Sequence, residues 1–212
     1  MEETFTLLPL SIPPEVRPGV PSTVACPSLE HDEQLTTELA HLNTLHSALL
    51  TLPAAAQQTP PPPVPVHPQR SAQVTKLRES GNAAFRKAAF PEAIRMYTFG
   101  IEMALGRPSW EPSGLVRDEA SALYANRAQA HMALRQWVEG ATDAECSVEM
   151  KRVGNGKGWW RRGKCLMEMG KLEDARAWLE RGLEVEGEEG EVAELAREVE
   201  RNMEAGKSRV SS

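Results

Sequence analysis

GNAAFRKAAFPEAIRMYTFG, residues 81–100, carries a spacing that recurs twice further along the chain. Gly81, Phe85, Phe90, Ala93, Tyr97 and Gly100 fall at positions 8, 12, 17, 20, 24 and 27 of a 34-residue window opening at Val74. A window opening at Ser121 fills those positions with Ala128, Met132, Trp137, Gly140, Ala144 and Ser147. A window opening at Gly156 fills them with Gly163, Met167, Leu172, Ala175, Leu179 and Gly182. Positions 8, 20 and 27 hold only Gly, Ala or Ser, which lets two helices approach closely. Position 17 is always large and apolar, suited to fill the wedge between helices. The turns before it contain Lys87-Ala88-Ala89, Arg135-Gln136 or Gly170-Lys171. Gly170 is the clearest left-handed cap of the set. A fixed period of this length marks a helix–turn–helix unit that buries its apolar face only by stacking on its neighbours.

Working outward from the repeats, Gly106 to Glu119 interrupts the first two windows with Pro108, Trp110, Pro112 and Gly114, so the chain turns there. Beyond the third window, Glu191 to Ala205 places Val192, Leu195, Ala196, Val199 and Met203 on one helical face. A stack needs such a cap, apolar inside and polar outside. Before the repeats, Leu35, Leu39, Leu42, Leu45 and Leu49 recur at steps of three and four, predicting an amphipathic helix over 29–52 that Pro53 ends. Pro60 to Pro63, Pro65 and Pro68 read as an extended spacer. The first 27 residues contain prolines at 9, 13, 14, 18, 21 and 27, which forbid a long helix. Phe5 and Leu7 alternate with Thr4 and Thr6, as in a very short strand. The expected organisation is an N-terminal region 1–58, a linker 59–73, windows 74–107, 121–154 and 156–189 with an insertion 108–120, and a cap 190–205.

The net charge of −6 argues against a general nucleic-acid binder, which needs a basic face to displace counterions. The three cysteines, Cys26, Cys146 and Cys165, match no zinc or redox spacing, so no metal is expected and a reducing compartment fits. No stretch is long and apolar enough for a membrane span, and Met1-Glu2-Glu3 is acidic where a signal peptide is basic.

The repeated pattern resembles the tetratricopeptide repeat over about residues 74 to 189. The resemblance implies an all-α fold: a right-handed superhelix of three helix pairs plus a C-terminal capping helix, behind a Pro-rich N-terminal region with one amphipathic helix. The first helix of each pair would line a concave groove. On those helices stand Arg78 and Asn82, four apart; Asn126; and Lys157 and Arg161, again four apart. Three cations and two amides thus share one surface of an acidic protein, and no packing requirement calls for them. Arg and Lys hold carboxylates by charge-assisted bonds, and Asn contacts a peptide main chain as donor and acceptor. The five residues resemble the two-carboxylate clamp of chaperone-binding tetratricopeptide domains, which read a C-terminal Glu-Glu-Val-Asp. Arg78 stands where Lys is commoner. Trp159 and Trp160 adjoin the clamp as possible groove-lining residues.

Ile101 to Ala104 followed by Arg107-Pro108-Ser109-Trp110-Glu111 resembles the small tetratricopeptide subunit of the fungal Sec post-translational translocation complex. Arg135-Gln136-Trp137 and Ala177 to Leu183 do so as well. This resemblance implies a non-catalytic, cofactor-free docking subunit on the cytosolic face of the endoplasmic reticulum. Its groove would take the tail of cytosolic Hsp70, with Hsp90 and ribosome-associated Hsp70 as further candidates. A single-span Sec subunit would hold it, and through that the J-domain subunit and the channel. The alternative is a soluble Hsp70/Hsp90 co-chaperone. Phe5, Leu7, Leu8, Leu35, Leu39, Leu42 and Leu49 form the expected partner interface, unless the leucine helix packs back on the repeats. His131 and Asp143 lie on different helices, and no set of nucleophile, base and orienting group is apparent.

Overall fold

The computed structural model describes residues 9–12, 23–26, 32–50, 66, 68–187 and 189–210, with side chains as far as 205. The chain divides into two compact units, Met1–His67 with Pro108–Glu111, and Pro68–Arg107 with Pro112–Ser212. In the first unit, helix α1 spans Glu33–Leu50. Asp32 caps it, its Oδ1 accepting from the Leu35 amide at 2.9 Å. Asn43 of α1 grips Val24 with both ends of its amide, donating to the carbonyl and accepting from the N–H at 2.8 Å each. Beyond Val24, Ser11 and Ala25 exchange two 2.8 Å backbone bonds in an isolated antiparallel bridge. Phe5, Leu7 and Leu8, and the strand read at Phe5 and Leu7, lie outside the described residues.

The second unit holds seven helices among the described residues: α2 Pro68–Arg86, α3 Phe90–Leu105, α4 Ser113–Ala133, α5 Trp137–Met150, α6 Gly156–Glu168, α7 Leu172–Glu186 and α8 Glu191–Val210. Each packs on the next, giving three antiparallel helix pairs in a tetratricopeptide-type stack with α8 as cap. The even-numbered helices also touch one another in turn. The side on which alternate helices meet is the inner side of the curve.

Two helix starts differ from the sequence reading, and α8 runs to Val210 rather than to 205. Pro68 is not the end of a spacer but the first residue of α2. Proline suits a first helical position because its missing N–H would find no intrahelical partner there and its φ is already helical. Likewise α4 starts at Ser113, so much of the insertion is about two extra turns on the first helix of the second pair.

The small positions are where helices press together. A Cβ on Gly81 would lie 2.4 Å from the Tyr97 ring, and one on Gly163 would lie 2.6 Å from Leu179. Between pairs, a Cβ on Gly100 of α3 would meet Leu123 of α4 at 2.9 Å, and within the third pair one on Gly182 of α7 would meet Trp159 of α6 at 3.2 Å. At Ser147 the contact is polar: its hydroxyl donates to the Ser121 carbonyl at 2.9 Å, and Ser121 returns a 3.0 Å bond. The buried apolar side chains form two clusters rather than one core. Val74, Tyr97, Ile101 and Leu123 anchor the first. Trp159, Trp178, Leu179, Leu195 and Val199 anchor the second.

All three first helices end alike. Ala88, Arg135 and Gly170, each at position 15 of its window, have φ of 57°, 56° and 74°. The following amides of Ala89, Gln136 and Lys171 reach back five residues to carbonyls at 2.9–3.0 Å. This is a Schellman cap built three times, and only the third copy uses glycine. A left-handed conformation is disfavoured for Ala and Arg by about 1–2 kcal/mol. Glycine there removes that penalty and adds some unfolded-state entropy, so Ala88→Gly and Arg135→Gly should each stabilise the protein by about 0.5–1 kcal/mol. Urea denaturation monitored by circular dichroism checks this; a loss of stability in both variants would refute it.

Candidate peptide-binding groove

The clamp candidates lie on α2, α4 and α6, the helices of the inner side. Asn82 and Asn126 meet directly: Asn126 Nδ2 donates to Asn82 Oδ1 at 3.1 Å. The Tyr97 hydroxyl donates to the same oxygen at 2.7 Å. With Oδ1 held by two donors, the Asn82 amide has one orientation, and its NH₂ faces the other way. Burial pushes the Tyr97 hydroxyl above its ordinary pKa, keeping it a proton donor. Arg78 stands one turn before Asn82 on α2 and is half-buried.

Arg161 corrects the expectation that packing makes no use of these residues. It is only 8% exposed. Its guanidinium donates to the Ala125 carbonyl at 2.9 Å and to Gln129 Oε1 at 2.8 Å, tying α6 to α4. Burial lowers its pKa, opposed by the nearby Tyr97 and Glu191. Two of its five N–H donors are thereby engaged with α4. Lys157, one turn earlier, is exposed. Both line a cavity of about 550 Å³, together with Phe85, Met132, Trp137 and Trp160. A site with apolar walls and a few placed cations suits a short anionic peptide.

The two tryptophans separate. Trp160 lines the cavity and is half-buried. Trp159 is no groove residue: it is 1% exposed, stacked 4.5 Å from Trp178, with Nε1 donating to the Arg152 carbonyl at 3.1 Å. Adjacent residues on a helix point about 100° apart, so one doublet serves both core and groove. Sequence reasoning missed Gln129 and Lys164, which also line the cavity. Each lies three residues beyond a clamp candidate, on the same helical face, and that spacing could have found them. Glu191 was missed because it belongs to the cap rather than to a repeat.

Of the expected interface on α1, Leu42 is 59% and Leu35 36% exposed, and Leu39 is half-buried. Leu49 is buried, and its side chain is therefore not presented to a partner as it stands. Asp143 of α5 accepts two bonds from Arg127 at 2.7 and 2.8 Å, which holds the guanidinium firmly charged. His131 comes within 3.7 Å of that carboxylate, with Nδ1 2.8 Å from Gln136 Oε1. Among the described residues, no group of three or more His, Cys, Asp or Glu could hold a metal ion. No described helix is long and apolar enough to cross a membrane.

No family model matches the chain. It is 38% identical over 126 residues to the ER protein translocation subcomplex subunit sec67 of Schizosaccharomyces pombe, covering 58% of this chain and 65% of that one. The first TPR of Spaghetti (RPAP3), solved bound to the HSP90 peptide SRMEEVD, superposes with a TM-score of 0.51 at 27% identity, covering 66% of this chain and 98% of that one. A chain of the S. cerevisiae Sec complex superposes with a TM-score of 0.64, covering 86% of this chain and 93% of that one; its 23% identity makes this a likeness of fold. The chain carries an all-α tetratricopeptide domain related to that of RPAP3 and, more weakly, to the fission yeast subunit. It spans just under two thirds of the length of the fission yeast subunit, and 16% of mouse RNA polymerase II-associated protein 3, which it also matches.

The bond from Tyr97 makes Asn82 a structural residue as well as a candidate contact. Asn82→Ala leaves that hydroxyl without its partner, and should lower stability by about 1 kcal/mol. Tyr97→Phe with Asn82→Ala should lose less than the two single variants summed. Chemical denaturation of all three variants measures the coupling; strict additivity would remove it.

Proposed function

We propose that this chain is a non-catalytic docking subunit of the endoplasmic reticulum post-translational translocation machinery. Its groove receives the acidic C-terminal peptide of a cytosolic Hsp70, of the Glu-Glu-Val-Asp type. The observation that carries the docking reading is the linking of Asn82 to Asn126, and of Arg161 to the adjoining Ala125 carbonyl, across three helices beside a cation-bearing cavity. A terminal Asp offers two carboxylates, one for the amides and main-chain side of such a site and one for its cations. The HSP90 peptide bound to the related RPAP3 domain ends in Glu-Glu-Val-Asp, which supports the guest class. The translocation setting is supported by the likeness to sec67 and to the Sec-complex chain. The second reading, a soluble co-chaperone with the same groove, is favoured by the relatives outside that complex.

Isothermal titration with a peptide ending in Glu-Glu-Val-Asp should give micromolar affinity, roughly −7 to −8 kcal/mol. Amidating its C-terminus should weaken binding strongly; equal affinity for both forms would end the clamp reading. Lys157→Ala should cost about 1–2 kcal/mol of binding without lowering the melting temperature, since the side chain is exposed. Arg161→Ala should lose both binding and stability, because it also removes the bonds to α4.

The region 1–58 is proposed as the surface for a membrane-anchored partner, with the exposed leucines of α1 within it. A chain beginning at Val66 keeps every residue of the repeat unit, Pro68–Arg107 and Pro112–Ser212. It should retain peptide affinity and lose co-purification with a single-span Sec subunit. Retained co-purification would move the interface to the repeats, and absence of any such partner for the full chain would favour the soluble co-chaperone.

A further inference from the structure

The cations of the groove already face carboxylates of this chain, most of them from the cap. Glu191, the first residue of α8, lines the same cavity as Lys157, Arg161 and Lys164. It is exposed, and it borders two neighbouring cavities as well. Lys164 is bridged to Glu198 of α8 at 3.6 Å and to Glu168 at 3.1 Å. Past Trp160 the next cavity is lined by Glu194 and Glu198 together with Arg197 and Arg201, so that with Glu191 three carboxylates stand against two guanidiniums. The lining is therefore cationic at α6 and of net negative charge at α8.

We infer that Glu191 is the internal counter-anion of the groove and sets which acidic peptides it accepts. This rests on the docking reading above and deepens it. In the empty protein the Glu191 carboxylate offsets the repulsion among Lys157, Arg161 and Lys164. A guest carboxylate that takes those cations must displace that compensation, so affinity for acidic guests is held below what the cations alone would give. Further along, the same face repels negative charge. Guests are thus confined to peptides whose acids are limited to the last few residues, with neutral or basic residues where the chain passes α8. A uniformly acidic tail is rejected although it carries more charge.

The test uses the full chain with Glu191→Gln, and Glu180→Gln as a variant of equal charge change on α7. The probes are the peptide SGPTIEEVD and a hexaglutamate ending in Asp, titrated at low and high salt. Glu191→Gln should bind SGPTIEEVD roughly three- to tenfold more tightly at low salt, with the gain shrinking at high salt. Its gain for the polyglutamate peptide should be larger still, while Glu180→Gln leaves both affinities near wild type. Without peptide, Glu191→Gln should melt lower than wild type in low salt, and added sodium sulfate should close that gap. Unchanged or weaker peptide binding by Glu191→Gln would overturn the inference, as would equal gains for the two peptides. If wild type binds neither peptide, the docking reading fails. The melting comparison still judges the counter-anion in that case, and equal melting of Glu191→Gln and wild type at low salt would overturn it too.

Discussion

The structure depends on how closely two helices can lie when no side chain stands between them. At Gly81 and Gly163 the space that a methyl group would need is filled by the Tyr97 ring and by Leu179 of the partner helix. At Gly100 it is filled by Leu123 of the next pair, and at Gly182 by Trp159 of the same pair. Each approach fixes an axial register as well as a distance, since a large side chain enters only opposite a small one. The register then decides which residues of α2, α4 and α6 face inward. The meeting of Asn82 with Asn126, and of Arg161 with the Ala125 carbonyl, is an outcome of that packing.

The same period explains what could be read in advance. Small residues at positions 8, 20 and 27 declare helix pairs because nothing else in a helical segment requires them at that spacing. The five clamp candidates followed from the resemblance that the period supports, and all five sit on the inner helices. Boundaries were harder, since Pro68 has the same composition as the spacer before it and differs only in being a permitted first helical residue. The left-handed caps at Ala88 and Arg135 were hidden because neither residue advertises a positive φ. Burial of Arg161 was hidden for another reason. A guanidinium is expected at the surface, and its partners are a main-chain oxygen and a glutamine over thirty residues away in sequence.

Arg161 also shows how one residue serves fold and site together. Desolvating a guanidinium is unfavourable unless its donors are satisfied, and α4 supplies two acceptors. The remaining charge is then held in one orientation before any guest arrives. A guest meeting such a group loses less of its interaction to ordering than it would at an exposed, rotating lysine. Lys157, exposed at the rim, adds charge with little such preparation.

The division of the apolar interior into two clusters bears on what occupancy does to the stack. One cluster joins α2, α3 and α4, and the other joins α5, α6, α7 and α8. Helices held by separate clusters open semi-independently, and here the Arg127–Asp143 and Ser121–Ser147 bonds from α4 to α5 are what tie the two together. A peptide laid across α2, α4 and α6 would touch both clusters' helices at once. It would act as a splint, since either half could open only by releasing it. Amides along α5, on the side away from the groove, would then exchange more slowly whenever the groove is filled.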